Sequence, residues 1–407
     1  MRLIDMDLRP ILGVSGVGRL SHAQLPEFIN RAHVDPDPAR ILMQTCQVLL
    51  ALGKDEFALE MQAKALQHGR IYRVAGHPAP VLRLLALMGP GTMSDNTPLD
   101  FVVDRSPVQL DLLFVAPDQS LPDEIPDHDV LIVAVGESAR DETTLPWLER
   151  LLAAWPRPVL NRPERLGRCA RDVVCELLRE TPGLLIAPTR RIARGEKPMS
   201  RFPATIRPVD THAGKGLAKI ETQAELDAYL EAHAEPAYYL SEFIDYRSPD
   251  GLFRKVRIAL IDGRPYICHM AVSEHWMVHY RSAGMQHCEA KRREEAAMMD
   301  AFDDGFAQRH AAALRAIATV LGLDYVVIDC ADSGDGRLLL FEVDNRGWIH
   351  ASDSTELFPY KPRIMQKAFD AFLAMLRQRA AGSPEVAYCA PRKSSASLQA
   401  SQARSWA

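Results

Sequence analysis

The sequence predicts a mixed α/β protein whose second half is rich in paired strands. Three observations carry this expectation. Between residues 79 and 190, short apolar runs alternate with amphipathic helical stretches, the pattern of a doubly wound parallel sheet. From residue 204 onward, strands come in pairs joined by glycine-bearing turns, which is antiparallel patterning. Upstream of both, residues 25–68 carry the 3,4 apolar spacing of helices. At 407 residues, 47% hydrophobic and 25% charged, the chain has a globular composition and room for two or three domains.

Composition also excludes several function classes. A formal net charge of −5 supplies no basic field, so no nucleic-acid partner is expected. No apolar run reaches membrane-spanning length, so no membrane association is expected. The opening residues, interrupted by Asp5 and Asp7, lack the apolar core of a signal peptide. The seven cysteines are scattered with no Cys-x-x-Cys, which indicates neither a disulfide framework nor a zinc site. A reducing cytoplasm is the expected location.

In chain order, Gly13, Gly16 and Gly18 form a glycine-rich stretch with no Lys-Ser/Thr ending, so it reads as a loop. Ile41, Thr45, Val48, Leu49 and Leu52 then mark one helix, Gly53 stops it, and Phe57, Met61 and Ala65 mark another. This pair resembles one tetratricopeptide-like unit, and a single unit needs neighbours to bury its face. Residues 1–78 are therefore expected to be a helical region that serves a homodimer or a protein partner.

Residues 79–190 are expected to be a Rossmann-like domain, with strands at 81–87, 110–116 and 129–135. Ser94-Asp-Asn-Thr-Pro98 follows the first strand, where such sheets bind ligands, although a surface turn explains it equally well. An amphipathic helix carrying Leu166, Val173, Val174 and Leu177 precedes a short strand at 184–189 that leaves this domain, and residues 190–200 read as a basic linker.

Phosphate chemistry enters at residues 204–220. A strand bearing Arg207 feeds a loop in which Gly214 and Gly216 flank Lys215, and a second strand follows. Small residues let backbone N–H groups wrap phosphate oxygens while the two cations supply charge, although Gly-Lys-Gly alone is usually an ordinary hairpin tip. A capping box at Thr222 and Glu225 opens the next helix. A strand ending in Glu242-Phe243-Ile244 and a hairpin turning at Asp262-Gly263 come next.

Residues 325–345 place an acid in each strand of an apolar hairpin: Asp329 in the first, Glu342 and Asp344 in the second, then Asn345. Alternation puts Glu342 and Asp344 on one side, and strand pairing can bring Asp329 alongside. Three unpaired carboxylates on an apolar patch would repel, and a divalent cation removes that cost. The trio is therefore read as a Mg²⁺ site shared with nucleotide phosphates, against the plainer reading of solvated strand ends.

This order of parts resembles the ATP-grasp superfamily, whose carboxylate–amine ligases clamp ATP between two β-rich lobes. The resemblance covers residues 99–376 and implies an ATP-grasp domain at 191–380, preceded by a Rossmann-like domain and followed by a disordered tail at 381–407. It implies ATP and two Mg²⁺ ions as cofactors. Arg207 and Lys215 would hold phosphates, with Arg207 standing where the family commonly has lysine. Glu242, Phe243 and Ile244 would form the adenine hinge, and Asp245 or Asp250 would take the ribose. Asp329, Glu342 and Asp344 would carry the metals; the family usually has Asn at the last position, so whether Asp344 or Asn345 is the ligand stays open.

Residues 269–287 are dense in polar aromatics and histidines and read as a loop over a pocket, whose histidines would titrate near neutrality. Arg281, with Arg257 second, is the candidate for binding a substrate carboxylate or the γ-phosphate. Residues 294–321 read as one long helix whose Glu294-Glu295 pair lies on a solvated face. The reaction expected is phosphorylation of a small-molecule or peptide carboxylate to an acyl phosphate, followed by attack of an amine. Two rivals use the same clamp: a kinase acting on a hydroxyl, and a nucleotide-dependent binding module with little turnover.

Overall fold

The computed structural model describes residues 3–6, 37–74, 79–92, 94–104, 106–138, 143–211 and 214–382. It is a mixed α/β fold with three sheets. The first sheet begins with β1 (Leu3–Met6), followed by helices α1 (Pro38–Ala51) and α2 (Asp55–His68) and then β2 (Ile71–Val74). Asp37 caps α1 by accepting from the Ala39 amide, with Pro38 at the first helical position. Gly53, at φ 68°, makes the left-handed turn between the helices. The remaining elements are β3 (Leu82–Met88), α3 (Leu99–Val102), β4 (Val108–Phe114), β5 (Val130–Val133), α4 (Thr144–Leu152) and β6 (Val159–Leu160).

The sheet order is β1-β2-β4-β3-β5-β6. β3 is central and nearly all buried, which is why it reads as an unbroken apolar run. Two expectations change here. The helix pair is not a separate layer, because the strands on either side of it join the sheet, and β1 pairs with β2 residue for residue. The sheet is also mixed, since β2 runs antiparallel to β4. The glycine-rich stretch at 13–18 and residues 383–407 lie outside the described residues.

After α5 (Pro163–Leu166) and α6 (Arg171–Leu178), β7 (Leu184–Ile186) leaves the first sheet, as expected, but it pairs in parallel with a strand far downstream. The expected linker instead holds β8 (Thr189–Ala193), an edge strand of the second sheet. That four-stranded antiparallel sheet is completed by β9 (Ala204–Pro208), β10 (Ala218–Ile220) and β11 (Ala237–Glu242), in order β10-β9-β11-β8. Helix α7 (Gln223–Ala232) packs on it, started by Thr222 Oγ1 accepting from the Glu225 amide. This lobe has its own core of Ile192, Ile206, Ile220, Leu226, Tyr238 and Leu240.

The third sheet contains β12 (Phe253–Ile261), β13 (Arg264–Ser273), β14 (Tyr325–Asp332) and β15 (Leu338–Asp344), in order β13-β12-β14-β15-β7. Asp262 and Gly263, both at positive φ, form the tight turn between β12 and β13 that the sequence called for. Helices α8 (Glu289–Asp300), α9 (Ala311–Leu321) and α10 (Lys361–Ala381) cover this lobe. The expected long helix is broken by a wide turn at Asp303–Ala307, and Glu295 is fully buried instead of solvated. No helix among the described residues is long and apolar enough to cross a membrane.

Candidate functional site

A cleft of about 580 Å³ lies between the four-stranded and five-stranded sheets. Its floor follows from strand register. Arg257 on β12 is opposite Asp329 on β14, which is opposite Glu342 on β15. Asp344, two residues beyond Glu342, is opposite Val327 and faces the same way. The shared face expected for Asp329, Glu342 and Asp344 is thus present, and all three line the cleft.

What surrounds them differs from the expectation. Asp329, 3% exposed, accepts from Lys255 Nζ at 2.9 Å and from Arg257 Nε and Nη2 at 2.8 and 3.0 Å. Burial alone would raise its pKa, but these two cations outweigh it and hold the carboxylate well below the usual range. Glu342 pairs with Arg171 of α6 at 2.5 Å, and Asp344 accepts from Arg346 Nε at 2.8 Å. Repulsion among the acids is therefore relieved by arginine and lysine, so it is no longer an argument for a metal. Among the described residues no group of three or more His, Cys, Asp or Glu side chains is placed to hold a metal ion.

Tested against Mg²⁺, the donors divide. Glu342 and Asp344 lie two residues apart on the cleft face, and two carboxylates with phosphate oxygens suit that ion. Asp329 does not fit, because both its oxygens are engaged. Nor does Asn345, which is fully buried and turned toward the first sheet, donating from Nδ2 to the Val135 carbonyl at 3.0 Å. Between Asp344 and Asn345, only Asp344 lines the cleft.

The opposite wall carries Arg207 on β9. It is 9% exposed, and its hydrogen bonds go to neutral groups, the Thr211 carbonyl and hydroxyl. No carboxylate forms an ion pair with it among the described residues. Burial, with the nearby Arg171 charge second, pushes its pKa down to about 10. Lys215, in contrast, stands exposed on the turn between β9 and β10 and does not line the cleft. Gly214 and Gly216 around it hold φ of 77° and 69°, which fixes glycine at both positions.

Glu242, Phe243 and Ile244, the segment expected to contact adenine, line the cleft. The Glu242 and Phe243 amides already donate to the Pro188 and Pro203 carbonyls at 3.2 and 3.0 Å, so other groups of the segment would have to contact a base. Phe243 stacks edge-on against Trp276 at 5.6 Å and carries Lys219 Nζ 4.2 Å above its ring. Ile186, Leu217 and Leu339 add apolar surface to the cleft lining. Asp245 and Asp250 lie outside the cleft lining, paired with Arg247 and Arg254 at 2.7 Å each.

Arg281 sits at the rim of the cleft and Arg257 in its floor, paired with Asp329. Two of the histidines at 269–287 differ from expectation: burial beside Arg257 and Lys361 holds His269, on β13, well below its usual pKa, and burial also lowers His279. Burial lowers His350, beyond that segment, in the same way.

Sequence reasoning missed Arg171 and Lys255. Gly136 admits Arg346, since a Cβ there would collide with its Cδ, Nε and Cζ. Beside it, burial raises the Glu137 pKa to about 7, with the Arg346 charge opposing. Nothing in local sequence pattern marks these residues, because they converge from α6, β12 and the end of β5.

No family model matches the chain. No curated protein matches it either. Among solved structures it is similar to D-alanine–D-alanine ligase from Bacillus anthracis complexed with ATP, at TM-score 0.46 and 14% identity over 74% of this chain and 97% of that one. It is similar to a RimK domain protein ATP-grasp from Sphaerobacter thermophilus, at 0.41 and 16% over 74% of this chain and 100% of that one. A third is the VanG D-Ala:D-Ser ligase from Enterococcus faecalis, at 0.44 and 13% over 72% and 99%. Likenesses this distant assign no chemistry to the cleft, which has to be read from its own residues.

Proposed function

We propose that the cleft binds ATP with Mg²⁺ and that the protein is an ATP-dependent carboxylate–amine ligase of ATP-grasp type. One observation carries the reading: Arg207 is a buried guanidinium on the cleft wall whose charge no carboxylate pairs with among the described residues. A buried cation facing a cavity favours an anionic ligand. The apolar part of the lining, with Phe243 against Trp276 and Leu339 among it, suits a nucleobase.

In this reading Arg207 holds phosphate oxygens from one lobe, while Glu342 and Asp344 hold Mg²⁺ from the other. The ion would supply positive charge to the β- and γ-phosphate oxygens. Glu342 and Asp344 are the residues that would hold the ion, and Arg171 and Arg346, paired with those carboxylates, would add positive charge to the same part of the cleft. Arg281 holds the substrate carboxylate near the γ-phosphorus. A carboxylate oxygen bonds to that phosphorus as the bond to ADP breaks; the amine nitrogen then bonds to the acyl carbon, phosphate leaves, and the amine proton passes to solvent. Phosphoryl transfer of this kind depends mainly on positioning and on charge aimed at the transferring group.

The test is to supply MgATP, pooled small carboxylates and hydroxylamine. ADP together with a hydroxamate supports the reading; AMP as the nucleotide product, or a stable phosphorylated alcohol, overturns it.

A further inference from the structure

A buried ionic network stands behind the cleft wall, and the steps above leave it unused. Glu295 of α8 is 0% exposed and Lys361, the first residue of α10, 2%. Glu295 accepts from the Met270 amide at 3.1 Å and from the Tyr280 and Tyr360 hydroxyls at 3.0 and 2.6 Å. Lys361 Nζ donates to Asp353 Oδ2 at 2.7 Å and to the Tyr280 hydroxyl, and it stands 3.4 Å from Glu295. Its three N–H donors therefore face three acceptors. It also lies over the Tyr280 and Phe358 rings at 4.1 and 4.6 Å.

Stability alone explains this arrangement poorly. A lysine at the first position of a helix opposes the helix dipole, and buried ion pairs rarely outperform apolar packing. Two carboxylates also share the one ammonium. What a satisfied polar network does supply is a single geometry, because moving any member leaves a buried group unpaired. The cleft lining shows which groups are fixed in this way: Tyr280 and Asp353 belong to it, whereas Glu295, Tyr360 and Lys361 stand behind it. One buried ammonium thus ties the loop after β13 to the loop after β15. The first loop brings His279 and Arg281 to the cleft, and the second brings Trp348 and His350. The second is held from the floor as well, since Arg257 Nη1 donates to the Trp348 carbonyl at 3.2 Å. Trp276, beside Phe243, has a separate anchor: its carbonyl accepts from the Tyr246 hydroxyl at 2.8 Å. Among the described residues, no hydrogen bond or ion pair of the network reaches Arg207 or residues 242–244.

We propose that Glu295 and Lys361 are positioning residues: acting through Tyr280 and Asp353, they set the spacing of the two loops that wall the substrate side of the cleft. Neither touches the ligand. This rests on the ligase reading above. The wall is formed before the carboxylate substrate arrives, so binding does not have to order it.

The test compares the full chain with its Glu295→Gln/Lys361→Met variant, which removes both charges together and leaves no fully buried charge unpaired. Three quantities are read: MgATP affinity by calorimetry, amide exchange of peptides covering 279–283 and 350–354, and hydroxamate formation from MgATP, hydroxylamine and pooled small carboxylates. The variant is expected to keep its MgATP affinity within about twofold, because the nucleotide residues lie outside the network. Both peptides should exchange about tenfold faster or more, and hydroxamate should form about 10- to 100-fold more slowly. Glu295→Gln alone, nearly isosteric, guards against a double variant that does not fold. It is expected to shift exchange and rate in the same direction by about threefold or more. A folded variant with parent exchange or the parent rate would overturn the proposal. So would a rate that falls only in step with MgATP affinity and the thermal midpoint, because the pair would then serve the fold. A parent protein that binds MgATP but yields no hydroxamate would instead sink the ligase reading, and the proposal with it.

Discussion

Replacing Arg207 by methionine separates a residue kept for a ligand from one kept for the fold. The fall of its pKa to about 10 corresponds to roughly 3 kcal/mol of desolvation that the protein does not return. Because the folded value lies below the unfolded one, that cost is present in full at neutral pH. It fades only as pH rises through the folded value. Against it stand the hydrogen bonds to Thr211, two neutral acceptors worth about 1 kcal/mol each. Arg207→Met is therefore expected to leave the thermal midpoint of the free protein unchanged or raise it. Nucleotide binding should move the other way: a lost charge-assisted contact of about 1.5–3 kcal/mol weakens MgATP about 10- to 100-fold. Thermal unfolding and calorimetric titration with MgATP measure the two halves. A lower midpoint with unchanged affinity would refute the reasoning, because it would make Arg207 a structural residue.

Glu342→Ala is expected to abolish ADP release with little loss of stability, since its pair with Arg171 is partly solvated and worth no more than about 1 kcal/mol; steady-state turnover and thermal unfolding check both. Lys215→Ala, at an exposed turn outside the cleft, is expected to weaken MgATP less than Arg207→Met does in the same titration. Glu137→Gln has a signed pH dependence. With its folded pKa raised to about 7, the native acid retains a proton that the unfolded chain has released, so stability falls as pH rises toward 7. The variant should match the parent near pH 4 and gain up to roughly 3 kcal/mol above pH 7 in denaturant unfolding.

The hairpin at 325–345 was legible because strand alternation has a period of two, which assigns Glu342 and Asp344 to one face without tertiary information. Asp329 was placed on that face correctly, but its partners were not foreseeable. Lys255 and Arg257 reach it through cross-strand pairing of residues more than seventy positions apart. The metal argument assumed uncompensated acids, and compensation is a property of the assembled cleft. Arg171 gave no signal either: in sequence it is one more charged residue on an amphipathic helix. The N-terminal helix pair was visible by its 3,4 spacing, but β1 and β2 are four residues each, too short to show a period. Glu295 misled for a related reason. Adjacent acids on a helix read as solvated, and only the folded chain brings Tyr280, Tyr360 and Lys361 to one of them.

The most direct measurement is a crystal structure of the protein with Mg²⁺ and a non-hydrolysable ATP analogue. The account predicts phosphate oxygens within hydrogen-bond distance of Arg207, the ion on Glu342 and Asp344, Asp329 still held by Lys255 and Arg257, and the base beside Phe243. A nucleotide bound elsewhere, or phosphates in this cleft that leave Arg207 with Thr211 alone, would contradict it.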